Sequence, residues 1–533
     1  MRGLRNAWIA VGLLLLTSGA AGADALHDWN KVLLDAVRTD RTAPPRAARA
    51  MALVHVAIFD AVNGVLRGYT PYLVTGTAPA GASADAAAVE AAYRVLTALF
   101  PAQQAAFDAA RATSLAKISD GAAKTAGIAW GGGVAQAIVA ARASDHSADI
   151  VNYSAPAGAN WWIPTPPAFA AALLPNWPDV TPWCMTRGDE FRSGAPPPPN
   201  SAEYTAAFRE VKDLGRATGT TRTAEQTQIA LFWADGGGTA TPPGHWLAIA
   251  QSISEQRNLT LLENARLFAL LGLTVADAAI VSWDHKYAFS NWRPVTGIQR
   301  ADTDGNPDTD ADANWTPLIA TPPFPSYSSG HSTFSGSSAR LLAHFFGTDK
   351  IAFATTSDGL PGVTRNFTGF AQAAEEAGQS RIYGGIHWQF DNQTGLRTGR
   401  ALADEVFFGF LTPLTLPGTC TPGATTLCLN HGRFKVEATW NTGTGSNAAR
   451  AEAQGTDSGR FWFFSADNTE VVVKVLNGCG VNDRYWVFGS GLTNVEVLIT
   501  VTDTTTGKTR RYFNAQGKTF APVQDVGAFA TCP

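Results

Sequence analysis

Lys286-Tyr-Ala-Phe-Ser-Asn-Trp-Arg293-Pro294, Ser328-Ser-Gly-His331 and Ser380-Arg381-Ile-Tyr-Gly-Gly-Ile-His387-Trp-Gln-Phe-Asp391 are the three stretches around which the chain is organised. Together they offer the cations Lys286, Arg293 and Arg381, the imidazoles of His331 and His387, a hydroxyl and a glycine-rich turn. That inventory suits a tetrahedral oxyanion such as phosphate or vanadate. Arginine presents a planar fork of donors to oxyanion edges, and lysine adds a point charge. Backbone N–H groups in a Ser-Gly-His turn form an anion-binding concavity. An imidazole beside them serves as nucleophile, metal ligand or proton shuttle.

The sequence around these stretches reads as helix. Ser332 to Phe346 has its N-terminus at the Ser-Gly-His turn, where free N–H groups and the dipole favour an anion. Leu259 to Phe289 carries Lys286 near its end, and Pro294 is expected to stop the pattern. Phe370 to Gln379 leads into Arg381, and a helix to about Phe410 follows His387 and Asp391. Further upstream, Ala47 to Val62, Ala86 to Phe100, Gln103 to Ile118, Ala122 to Ala141, Ser201 to Leu214, Ala224 to Trp233 and Gly244 to Ile253 read as amphipathic helices. Residues 150 to 200 are rich in proline and tryptophan, which rules out regular helix and predicts an ordered loop that wraps the bundle or walls a pocket.

At 533 residues, with 45% hydrophobic and 16% charged residues, the chain is long enough for more than one domain and for a large core. The formal net charge of -4 gives no reason to expect nucleic acid or an anionic membrane as partner. Arg2, Arg5, the apolar run Ile9 to Leu16 and Ala21-Gly22-Ala23 read as a secretory signal over residues 1–23. No later stretch is expected to span a bilayer, so the mature chain is expected to be secreted or periplasmic. From about Pro417, short runs rich in valine, threonine and aromatics alternate with Asn, Gly and Asp turns and predict a small β-sandwich over residues 417–533. Cys420, Cys428, Cys479 and Cys532 lie there; Cys420–Cys428 with Cys479–Cys532 is the preferred pairing among three connectivities. Cys184 is read as a buried small residue, and His55, His146 and His285 as structural.

Other chemistries fit less well. Gly330-His-Ser332-Thr-Phe334 lacks the last glycine of a nucleophile elbow. The acidic run Asp302 to Asp312 has Gly305 one place early for a calcium loop and no closing glutamate, so a solvated surface loop is expected.

The three stretches resemble, in order and spacing, the superfamily that joins vanadium-dependent haloperoxidases with type-2 phosphatidic acid phosphatases and bacterial acid phosphatases. Its pattern is K-x6-R-P, P-S-G-H and S-R-x5-H-x3-D; Ser328 stands where the family has proline. Trp283 before Lys286, Phe324-Pro325-x-Tyr327 before the turn, and Met51 to Asn63 are similar to vanadium chloroperoxidases. The resemblance covers roughly residues 24–416. It implies a mainly α fold of double four-helix-bundle type, followed here by the β-sandwich. It implies vanadate as cofactor, with His387 as the metal ligand and Lys286, Arg293, Ser329, Gly330 and Arg381 holding its oxygens. His331 becomes the proton shuttle, Lys286 the group that polarises peroxide, Asp391 the residue that orients His387, and Asp235 the acidic partner of the site arginine. Trp283 and Phe324 line a halide pocket. Hydrogen peroxide and halide are the implied substrates, with an organic acceptor left open. The alternative branch is a secreted acid phosphatase without cofactor, in which His387 attacks phosphorus and His331 protonates the leaving group.

Overall fold

The computed structural model describes residues 25–156, 158, 160–414 and 420–532. The expected signal segment and the expected boundary at 416/417 lie outside the described residues. The helices are α1 (Ala25–Asp40), α2 (Pro44–Leu66), α3 (Ala84–Leu99), α4 (Gln104–Ala116), α5 (Ala122–Ala141), α6 (Ala202–Leu214), α7 (Ala224–Phe232), α8 (Thr241–Arg257), α9 (Leu261–Phe289), α10 (Pro294–Gln299), α11 (Gly330–Phe346), α12 (Phe370–Tyr383) and α13 (Gln389–Gly409). Most begin where a hydroxyl or a proline fits the first turn. Thr260 caps α9 by accepting from the Glu263 amide while Glu263 reaches back, and Pro44 and Pro45 open α2.

Helix α9 is the axis of the helical body: every residue from Asn264 to Lys286 is buried. It packs against α2 on one side and α11 and α13 on the other. Helices α2 and α9 are long and apolar enough to cross a membrane, which corrects the expectation that no later stretch is. Their most apolar windows are 83% and 100% buried within the helical body, the environment of core helices. Helices α11 and α13 cross closely because glycine stands at the contact. A Cβ on Gly399 would fall 2.3 Å from the Thr333 carbonyl oxygen, and one on Gly336 2.7 Å from that of Leu396.

Two further differences from expectation have local causes. Pro294 does not end the helical pattern; it opens α10, because its missing N–H costs nothing at a helix start. Strands β1 (Phe353–Thr356) and β2 (Thr364–Phe367) form an antiparallel hairpin in a region given no structure from sequence.

The proline- and tryptophan-rich segment is an ordered strap across the end of α9. Trp162 N–H donates to Ser290 O at 2.7 Å, and Trp292 N–H to Asn160 O at 3.0 Å. Buried carboxylates tie other loops down. Asp277 on α9 accepts from the amides of Trp183, Cys184 and Met185, and Asp60 on α2 from those of Tyr72, Leu73 and Val74. Burial nonetheless pushes the Asp277 carboxyl up to about 6 and the thiol of Cys184, which is half-buried rather than fully buried as expected, well above its usual range.

The strands that follow are β3 (Thr426–Leu429), β4 (Phe434–Asn441), β5 (Ser446–Ala448), β6 (Arg450–Ala453), β7 (Ser458–Trp462), β8 (Val471–Asn477), β9 (Tyr485–Gly491), β10 (Glu496–Asp503), β11 (Thr509–Asn514) and β12 (Val523–Phe529). One sheet runs β11-β10-β4-β3 with β5 on β4; the other runs β12-β9-β8-β7-β6. Their inward side chains, among them Val436, Ile499, Val473 and Val487, share one apolar core, as in a β-sandwich. The sandwich meets the helices through Arg340, which pairs with Asp404 at 2.6 Å and Glu496 at 3.5 Å, and through Phe513 stacked on Phe408 at 4.8 Å.

Cys420–Cys428 and Cys479–Cys532 are bonded in the preferred pairing, closing separations of 8 and 53 residues. Loop-closure entropy gives the longer link about 4 kcal/mol and the shorter about 2.5 kcal/mol. Replacing Cys479 and Cys532 by Ser is therefore expected to speed amide exchange across β9 and β12 more than the Cys420/Cys428 pair of changes does, while leaving α9 and α11 protected; exchange mass spectrometry measures this.

Candidate oxyanion site

The end of α9, the start of α11 and the α12–α13 turn bring the three sequence stretches to one place. Lys286 and Trp283 lie on the last turns of α9, and Arg293 caps α10. Ser329 caps α11, its hydroxyl accepting from the Ser332 amide at 3.3 Å, and Gly330 opens that helix. Arg381 ends α12. The chain then turns through Gly385, whose φ of 78° lies in the left-handed region that glycine tolerates, and delivers His387 ahead of α13.

His387 is fixed in one tautomer. Its Nδ1 stands 2.8 Å from Asp391 Oδ2, which also accepts from the Trp388 amide at 3.0 Å and from the Ser326 hydroxyl. Nδ1 must donate to this carboxylate, so Nε2 is unprotonated and its lone pair can accept. Arg293 Nη1 donates to that Nε2 at 3.0 Å and to the Ile386 carbonyl at 2.8 Å, while its Nε binds the Phe324 carbonyl at 2.8 Å. Arg381 gives Nη1 to the Trp233 carbonyl at 2.9 Å.

Several buried donors and acceptors here have no partner among the described residues: Arg293 Nη2, Arg381 Nε, His331 Nε2 and the Ser328 hydroxyl. Unpaired buried polar atoms cost roughly 1–3 kcal/mol each, so a cluster of them marks a ligand's place. The electrostatics agree. Lys286, Arg293 and Arg381 are buried, with the carboxylate of Asp391 near the first two and that of Asp235 near the third. Burial lowers the Arg293 guanidinium to about 9 and that of Arg381 to about 10, and holds the Lys286 ammonium well below its usual value, with Arg293 adding to the effect. Burial and the neighbouring cations hold His387 well below its ordinary value, and burial followed by Arg381 does so for His331. Burial raises Asp391 to about 6. A set of enclosed cations under mutual repulsion is relieved by an anion. Vanadate and phosphate both fit this donor set: guanidinium N–H groups and the first-turn amides of α11 for the oxygens, and a bare imidazole nitrogen for the central atom.

Two expectations change. Lys286 does not present a free donor. Its three protons go to the carbonyls of Pro325 at 3.1 Å, Ser326 at 3.1 Å and Ser328 at 2.5 Å, because a buried ammonium must be satisfied and this loop offers the oxygens. Asp235 does not form an ion pair with Arg381 within the described contacts. It accepts from His245, Nδ1 to Oδ2 at 3.2 Å, although it lies near enough to favour the charged form of Arg381. His245 and Ser326 were missed in the sequence, since neither belongs to a motif; the one signal for His245 was a polar residue set among Pro242, Pro243 and Trp246.

Trp283 and Phe324 meet as expected, with ring centroids 4.9 Å apart and both side chains buried. Lys286 Nζ lies 5.0 Å and Arg293 Cζ 4.8 Å from the Phe324 ring centre, so the apolar pair borders the cations. The strap closes this side: Leu173 O accepts from Trp283 Nε1 at 3.2 Å and from the Tyr287 hydroxyl at 2.6 Å. His285 is structural, its Nε2 accepting from the Ser193 amide at 2.9 Å. His55 sits in the core, its Nε2 3.0 Å from Asn30 Oδ1, and His146 on the surface beside Asp149. The acidic loop is less solvated than expected: Asp304 is buried, accepting from the Asn306 amide and the Thr309 hydroxyl. Among the described residues no group of three or more His, Cys, Asp or Glu side chains is placed to hold a metal ion.

The family described as the VCPO second helical-bundle domain matches residues 266–411, which hold all three stretches. Vanadium chloroperoxidase of Curvularia inaequalis is 27% identical over 484 residues, covering 68% of this chain and 78% of its own. The crystal structure of a bacterial vanadium-dependent iodoperoxidase aligns with a TM-score of 0.64 at 27% identity over 72% of this chain and 95% of that one. An apo bacterial vanadium-dependent chloroperoxidase shares the fold, with a TM-score of 0.56 at 16% identity over 69% and 93%. The unpaired donors predict that orthovanadate and phosphate each raise the thermal midpoint of the metal-free protein. Arg381→Ala should weaken orthovanadate binding by about ten- to a hundredfold, the worth of one hydrogen bond from a charged group, as read by titration calorimetry. Residues 266–411 thus carry the VCPO second helical-bundle domain, and in sequence and fold the chain is similar to vanadium-dependent haloperoxidases.

Proposed function

We propose that this protein is an exported vanadium-dependent haloperoxidase, which uses hydrogen peroxide to oxidise halide to hypohalous acid. The helical-bundle body goes with this reading, as does the site set between α9, α11 and α13. The observation that carries it is the unprotonated Nε2 of His387, its ring held by Asp391, with unpaired guanidinium donors of Arg293 and Arg381 in the same site and the Trp283–Phe324 pair alongside. When bound, vanadate supplies Lewis acidity toward peroxide.

The chain's own residues do the rest. His387 offers Nε2 as ligand, and Asp391 keeps its ring in the required tautomer. Arg293 Nη2, Arg381 Nε and the first-turn amides of α11 hold oxyanion oxygens. Lys286 works through the loop: by binding three carbonyls it fixes residues 325–328 and adds its charge behind them. His331, neutral because of burial and Arg381, has a free Nε2 with which to take up and return a proton. The overall change is balanced with one proton: halide loses two electrons to peroxide, one peroxide oxygen leaves in hypohalous acid and the other as water. Trp283 and Phe324 give the halide a partly desolvated seat beside the cations. Two disulfides support an oxidising compartment, and with the N-terminal pattern they support export.

The deciding experiment pairs two assays on the protein after incubation with orthovanadate and dialysis. Bromide- and peroxide-dependent bromination of a dye that requires vanadate, and that exceeds phosphomonoester hydrolysis by the metal-free form, is expected. Rapid phosphate release that vanadate blocks, with no halide oxidation, would instead assign the phosphatase chemistry to the same histidines. Trp283→Ala is expected to raise the halide KM about tenfold, the value of one well-placed aromatic contact, with vanadium content unchanged. An unaltered KM would remove Trp283 from the halide seat.

A further inference from the structure

Residues Trp233, Ala234 and Asp235 form a short segment after α7 on which two site groups depend. The Trp233 carbonyl takes the Arg381 Nη1 hydrogen bond at 2.9 Å. The carbonyls of Trp233 and Ala234 also face His331 and favour its protonated form against the burial that opposes it. Asp235 closes the segment with a φ of 42°, a left-handed conformation that a non-glycine residue keeps only when its surroundings hold it.

His245, on the first turns of α8, touches both ends of this segment. Its ring stacks on Trp233, with centroids 4.6 Å apart and planes 23° from parallel. Its Nδ1 lies 3.2 Å from Asp235 Oδ2, and its Nε2 3.1 Å from the Thr355 hydroxyl of β1. The Asp235 carboxylate can only accept, so Nδ1–H faces it, and Nε2 is left to the Thr355 hydroxyl, which also lies 3.3 Å from the Thr356 carbonyl. All three side chains are buried, and Asp235 and His245 form the wall of a cavity of about 290 Å³ that Arg38, Thr355 and Asp358 also line. The hairpin of β1 and β2 is thus coupled, through one imidazole, to the loop that positions the oxyanion-binding arginine.

We propose that His245 is a positioning residue for the oxyanion site: it holds the 233–235 segment so that Arg381 and His331 meet the bound anion. The inference rests on the oxyanion reading of the site and adds a residue to it. His245 touches none of the reacting atoms; its effect passes through Asp235 and Trp233.

The test separates ring packing from hydrogen bonding. His245→Phe keeps a ring over Trp233 and removes the donor to Asp235. His245→Asn places an amide N–H near the former Nδ1 and keeps that donor. Metal-free wild type and both variants are titrated with orthovanadate and with inorganic phosphate, and melted without either. His245→Phe is expected to weaken orthovanadate binding about tenfold, the usual effect of losing an outer hydrogen bond behind a ligand-holding group, and to lower its anion-free melting midpoint because the buried Asp235 carboxylate loses its donor. His245→Asn is expected to bind within about threefold of wild type. Thr355→Val, which takes the partner from Nε2 and loosens the ring, gives the same reading if His245→Phe does not fold, with binding weakened in the same direction. Unchanged binding in His245→Phe or Thr355→Val, or equal losses in the Phe and Asn variants, would overturn the proposal. A wild type that binds neither oxyanion would refute the oxyanion reading itself.

Discussion

Three cations and two imidazoles lie inside an apolar helical body, and this burial is the constraint to which the surrounding structure answers. Each charge taken from water must be given hydrogen bonds or a counter-ion. Lys286 receives three carbonyls of the 325–328 loop. Arg293 receives those of Phe324 and Ile386, and Arg381 that of Trp233. These bonds satisfy part of each cation and, in doing so, fold the loops between helices into fixed positions. What they leave unpaired converges on His387.

The polarity of the helices fits this arrangement. The N-terminus of α11 brings its dipole and first-turn amides toward the same place as the cations, and α9 delivers Lys286 and Trp283 from its buried end. Glycines at the α11–α13 crossing let Asp391 and Ser329 stand close, so that the Ser329 amide donates to the Asp391 carbonyl at 3.1 Å. The histidine and the turn are therefore set by backbone contacts between two helices and need no long side chains to reach one another.

The parts of this structure that were legible in the sequence are those written in local patterns. The bounds of α5 coincide with the alanine-rich run that predicted it, and α9 was evident from its apolar length. The motif residues His387, Asp391, Arg293 and Arg381 were evident from the resemblance of their stretches to the family's pattern. The contacts of Lys286 were not, because carbonyl acceptors carry no sequence signature and the loop that supplies them is about forty residues away. The β1–β2 hairpin was missed because its strands are four residues each and its register depends on pairing across a loop. Asp235 was found by likeness and His245 was not, since the link between them spans ten residues of turn whose path only packing decides.

The strap that covers the aromatic pair has a different kind of consequence. Leu173 holds Trp283 and Tyr287 through its carbonyl oxygen, and the cations likewise grip main-chain oxygens at Phe324, Pro325, Ser326, Ser328 and Ile386. A peptide oxygen is present whatever side chain is encoded. Mutational drift at Leu173 or Ile386 can therefore pass without disturbing the interaction, while the donor residues cannot change. The enclosure is thus written in the donor side chains and in the path of the main chain, and the side chains at the accepting positions take no part in these bonds.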